Sequence, residues 1–61
     1  MNMIKLSENI VLHDLKFVKK VKIGDLYSAT CTYKNVYSQF AESQPTDVVL
    51  NKNNKVIWMD T

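Results

Sequence analysis

Apolar and polar side chains alternate most regularly across residues 16–34, on both sides of the chain's single glycine. Strict alternation marks a half-buried β-strand, because successive side chains point to opposite faces of the pleat. Gly24 beside Asp25, set between two alternating runs, predicts a hairpin. A three-residue loop from Gly24 to Leu26 would pair Ile23 with Tyr27, Val21 with Ala29, Lys19 with Cys31 and Phe17 with Tyr33. The other face would then carry Lys22 with Ser28, Lys20 with Thr30, Val18 with Thr32 and Lys16 with Lys34. A slip of one residue moves every side chain to the opposite face, so the register that best separates the two sets is expected. Lys19 is the misfit, and a bulge near Val18–Lys19 would turn it outward.

The segment 47–60, "DVVLNKNNKVIWMD", predicts a second hairpin, with Asn53-Asn54 suited to the positive φ of a tight turn. Val48–Leu50 and Val56–Met59 place apolar side chains on both faces of that pair. Such a hairpin is either central in the fold or covered by another chain. Residues 3–15 admit a helix capped by Ser7, but Ile10 and Val11 are β-branched and Val11, His13, Leu15 and Phe17 alternate, which favours a strand. "NVYSQFAES" at 35–43 fits a short helix capped by Asn35 and stopped by Pro45, and equally a strand. "SQPTD" is expected to be a loop.

The expected fold is therefore mostly β: a small twisted antiparallel sheet or open barrel of four to five strands, with room for one short helix near residues 35–43. If that helix forms, the class becomes α+β. The expected core is Phe17, Val21, Ile23, Tyr27, Ala29, Cys31, Tyr33, Phe40, Leu50, Val56 and Trp58. The chain opens on methionine and is read as one complete small domain, 1–61. A chain of this size buries only about 60% of its unfolded surface, so it needs very good packing or a partner subunit.

Composition narrows the chemistry. Cys31 is the only cysteine and His13 the only histidine, which excludes an internal disulfide and a four-ligand zinc site, and no cofactor or metal is expected. An unpaired thiol, with no signal-peptide pattern and no long apolar run, points to the cytoplasm rather than a membrane. All eight basic residues are lysines, and asparagine occurs six times. That usage suits an AT-rich genome such as a phage or plasmid. The net charge is +2, with +3 in residues 1–34 and −1 in residues 35–61. Arginine, the usual partner of guanine and phosphate, is missing, which argues against sequence-specific DNA reading.

An enzyme is not expected. His13 and Asp14 are sequence neighbours, which on a regular strand face opposite ways and cannot form an acid–base pair. Cys31 reads as a small buried apolar residue. No glycine-rich phosphate loop fits one glycine. Two surfaces remain. Lys16, Lys20, Lys22 and Lys34 would line one sheet face and offer a nonspecific nucleic-acid contact, or simply a solvated face. Ile57, Trp58 and Met59, with Val49, would form a protein interface, since Trp and Met are enriched in interface cores. The expected function is a non-enzymatic small binding protein that occupies the surface of a partner protein, in the manner of a phage or plasmid accessory or inhibitor factor. The alternatives are nucleic-acid binding through the lysine face and a homo-oligomeric structural subunit, a homodimer being its simplest form.

Overall fold

The computed structural model describes residues 3–34 and 41–60. Five strands follow one another: β1 (Met3–Ser7), β2 (Ile10–Val21), β3 (Gly24–Lys34), β4 (Ala41–Leu50) and β5 (Val56–Asp60). They form one antiparallel meander in the order β1-β2-β3-β4-β5, curled into an open half-barrel. The described residues contain no helix. The segment 3–15 is strand, tight turn and strand again. Of the segment 35–43, residues 41–43 are strand, and residues 35–40, with Phe40 among them, lie outside the described residues.

The first hairpin exists, but its register differs from the expected one. The turn is Lys22–Ile23, so Val21 faces Gly24, Lys20 faces Asp25, Lys19 faces Leu26 and Phe17 faces Tyr27. Gly24 is not the turn residue and takes no positive φ. It lies where the backbone of Leu50 leaves no room for a side chain. A Cβ there would run into the Leu50 carbonyl and lie 3.1 Å from Val49 Cγ1. The expected bulge at Val18 is present: Phe17 pairs with Tyr27 and Lys19 with Leu26, leaving Val18 over.

Three further irregularities curl the sheet. Leu6 is passed over between Lys5 and Ser7, and Ile57 between Val56 and Trp58. Two residues of β2, Asp14 and Leu15, stand against Ala29 alone, and Asp14 takes φ 54°. Each extra residue bends its strand and increases the local twist. The bend at Asp14 also returns Leu15 to the inner face, where it packs on the core.

That core is Leu12, Cys31, Val48 and Leu50, with Ile4, Ile10, Leu15, Tyr27 and Val56 packed around it. Ala29 and Thr46 are buried beside it. The register explains the grouping: Ile4, Leu12, Cys31 and Gln44 form one inner row, and Tyr27, Val48 and Met59 another. Three expected core residues are instead exposed: Phe17 (56%), Ile23 (58%) and Trp58 (45%). Ile23 sits in the turn, and Phe17 and Tyr27 make a T-shaped ring pair with centroids 5.7 Å apart. Leu12 and Val48, both fully buried, were missing from the expected set.

"SQPTD" is not a loop. Gln44, Pro45 and Thr46 belong to β4 and pair with Cys31, Thr30 and Ala29. Proline is tolerated in a strand where one side needs no hydrogen bond. β5 pairs only with residues 47–50, so at Pro45 the strand β4 has no β5 neighbour to donate to.

Two substitutions test this packing. Leu12→Ala should lower stability by about 2–5 kcal/mol, the usual cost of an aliphatic truncation in a filled core. Gly24→Ala should cost about 1–3 kcal/mol through forced separation of β3 from β4. Urea unfolding followed by circular dichroism measures both, and a neutral Gly24→Ala would contradict the close approach.

Candidate protein-interaction surface

β5 is held by a turn that its asparagines build. The Asn51 side-chain oxygen accepts from the backbone N–H groups of Asn53 (2.8 Å) and Lys55 (3.0 Å). The Asn51 N–H donates to the Lys55 carbonyl, and its own carbonyl accepts from Asn54 N–H, each at 2.9 Å. Asn54 takes the positive φ of 61° that an asparagine tolerates well. At the other end the buried Thr46 hydroxyl donates to the Asp60 carbonyl at 2.9 Å. Both ends of the strand are thus fixed to β4 by polar contacts.

Between those ends the side chains are apolar and open to solvent. Ile57 is 44%, Trp58 45% and Met59 42% exposed. Val49 does not share that exposure. It lies between Leu26 and Trp58 in the register and is buried, so it supports the surface from beneath instead of presenting itself. β5 ends the sheet, and among the described residues no strand pairs with its outer edge. Asp47 and Asp60 face each other across β4 and β5, a like-charge pair that costs stability.

The lysine face does not assemble. Lys16 and Lys34 are on the outer face, opposite Ser28 and Ala41. Those two positions are six residues apart along β3, about 20 Å of strand. Lys20 pairs with Asp25, which shares the inner-face parity of Tyr27, and Lys22 lies in the turn. The expected hairpin register, which sets Lys22 beside Ser28 and Lys20 beside Thr30, is not the one that forms.

The bulge also overturns the separation of His13 from Asp14. With Asp14 at positive φ, its carboxylate returns to His13 and lies 2.9 Å from Nδ1. His13 Nε2 lies 2.6 Å from the Thr32 hydroxyl, which lies 2.7 Å from the Ser43 hydroxyl. This chain of contacts crosses β2, β3 and β4 on the outer face. Its order resembles an activated hydroxyl, but Asp14 is 71% exposed. Thr32 sits in the middle strand with both neighbours paired to it, so its backbone N–H and C=O serve the ladders. The network is well placed to tie three strands together, and its hydroxyls lie on an open sheet face.

A shallow groove of about 500 Å³ follows the open seam of the half-barrel, lined by Met3, Ile4, Lys5, Leu15, Tyr27, Leu50 and Asn54. It joins the exposed end of the core to solvent. Among the described residues no group of three or more metal-ligating side chains comes together, and no helix is long and apolar enough to cross a membrane.

One polar pair on the inner face reports on pH. Tyr33 donates its hydroxyl to Glu42 Oε2 at 2.6 Å. That bond, and the carboxylate charge behind it, raise the Tyr33 pKa above its ordinary 10.0. A raised pKa stabilises the protonated form, so the contribution is fully present below about pH 10 and is lost as pH rises through the raised value. Glu42→Ala should bring the Tyr33 ionisation back toward its ordinary value, read from the ring carbon shifts of Tyr33 against pH. An unchanged titration would remove the bond.

No family model, characterised protein or solved structure is significantly similar to this chain.

Proposed function

We propose that this chain is a non-enzymatic binding protein that works by occupying the surface of a partner protein, and that its working surface is the β5 edge. The observation that carries the reading is the exposure of Ile57, Trp58 and Met59 on a terminal strand that is otherwise held firmly in place. Exposed strand edges pair readily with other chains, which is why edges without a partner are usually charged or covered. Here the exposed middle of the edge is isoleucine, tryptophan and methionine, with charge only at Lys55 and Asp60. Addition of a strand supplies main-chain hydrogen bonds, and the flanking side chains supply selectivity. Tryptophan and methionine are among the residues that interface cores favour.

The separation of core from surface makes the reading testable. Trp58→Ala should leave the fold intact, with a stability loss well below that of Leu12→Ala, and should remove the protein contact. Affinity capture from source-cell lysate with nuclease present, comparing the wild-type chain with Trp58→Ala and with Lys20→Glu, measures this. A protein retained by the wild type and Lys20→Glu but lost by Trp58→Ala supports the β5 surface. Retention that survives Trp58→Ala, or that vanishes with nuclease, overturns it.

A further inference from the structure

The bulge at Ile57 gives the β5 edge a symmetry that names its partner. Faces follow from the register. Val56 pairs with Leu50 and Met59 with Val48, and those two β4 residues are on the inner face. Trp58 pairs with Val49 and Asp60 with Asp47, which are on the outer face. Val56 and Met59 are three residues apart and would lie on opposite faces of a regular strand. The extra residue, Ile57, brings them to the same face. Lys55 immediately precedes β5 and is exposed. About the midpoint of Ile57 and Trp58, Val56 and Met59 are therefore placed symmetrically on the inner face, with Lys55 and Asp60, of opposite charge, on either side of them.

We propose that β5 pairs with β5 of a second copy of this chain, antiparallel about a two-fold axis between Ile57 and Trp58. This rests on the β5 reading above and identifies the occupant of that edge. Lys55 then stands opposite the partner copy's Asp60, Val56 opposite its Met59, and Ile57 opposite its Trp58. Val56 and Met59, the opposed pair for which the register defines both faces, match inner with inner. Each lysine also arrives beside a carboxylate pair, Asp47 and Asp60, that has no cation partner among the described residues. A two-fold contact repeats every interaction, so the seam carries two Lys55–Asp60 pairs and two Ile57–Trp58 pairs. The outcome is one continuous ten-stranded sheet made from two half-barrels. A foreign strand has no need of an edge that matches itself on reversal; a second copy does. A seam of six residues per copy is small, so the dimer should be reversible, with a dissociation constant on the order of micromolar.

Sedimentation equilibrium at low salt, from micromolar to millimolar chain, measures the association. Lys55→Asp alone and Asp60→Lys alone each place like charges across both ends of the seam, and each should weaken association by about tenfold or more. The double variant, Lys55→Asp with Asp60→Lys, restores opposite charges across the seam and should bring the constant back near that of the wild type. Circular dichroism confirms that each variant is folded. A mixed dimer of isotope-labelled and unlabelled chains should show methyl contacts between Val56 of one copy and Met59 of the other. A chain that stays monomeric to millimolar concentration overturns the proposal. So does a dimer indifferent to the charge changes, or one without the Val56–Met59 contact. A monomer that still captures another protein through Trp58 overturns self-pairing and leaves the β5 surface reading standing. A monomer in which Trp58→Ala alters no contact overturns both.

Discussion

Among the described residues, nothing covers the inner face of the single sheet except the sheet itself. This constraint governs the rest of the structure. A flat five-stranded meander would leave one whole apolar face in water, at roughly 25 cal/mol for each Å² exposed. The bulges in β1, β2 and β5 bend the strands so that inner-face side chains of β1, β2, β3 and β4 meet in one cluster. Leu12 and Val48 then become fully buried though neither lies beneath a second layer. Cys31, in the middle strand between them, is small enough to sit at the centre of the curl, and its thiol is buried. The curl, not the number of apolar residues, creates the core.

The same curl decides what remains outside. β2 runs for 12 residues and is the longest strand of a molecule 39 Å long. β5 has only five residues and covers only one end of β4. That leaves Pro45 without a β5 neighbour, which is the setting a strand proline requires, and it leaves the apolar middle of β5 at the sheet's end. Val49 is buried on the outer face while its register neighbour Trp58 is half exposed. The hairpin is apolar on both sides because its inner face completes the core and its outer face shields Val49.

The strand content and the two hairpins were legible from alternation and turn residues alone. The placement of the side chains was less so, and the reasons are local. Gly24 reads as a turn residue because glycine usually marks turns, but here it is required by the proximity of Leu50, which depends on β4 and so on a distant part of the chain. That single misreading shifted the hairpin register, and with it gathered Lys16, Lys20, Lys22 and Lys34 onto one imagined face. Trp58 reads as core because it is the largest apolar residue, yet a terminal strand can bury a side chain only against its one neighbour. The bulge at Asp14 is harder to read because no glycine in "LHDL" marks it. The signal that could have found it was there in part: Leu12 and Leu15, three apart, cannot both face a core in an unbroken strand. Val56 and Met59 carry the same signal at β5.

That spacing has a wider consequence. In a regular antiparallel strand, apolar residues two apart share a face, and a pair three apart marks the position of an extra residue. Leu12 and Leu15 use the extra residue to keep β2 on the core through a bend, and the change also turns Asp14 toward His13. Val56 and Met59 use it on a strand with one free side, where it affects that side as well. A bulge on a central strand is constrained by neighbours on both sides. A bulge on an edge strand is constrained on one side only, and the altered face pattern is presented to solvent. Edge bulges commonly discourage pairing because a regular incoming strand cannot match them. An incoming strand with the same bulge, in the opposite direction, is the exception: its own irregularity falls in the matching place. The device that discourages foreign strands is thereby compatible with one partner, a second copy of the same edge.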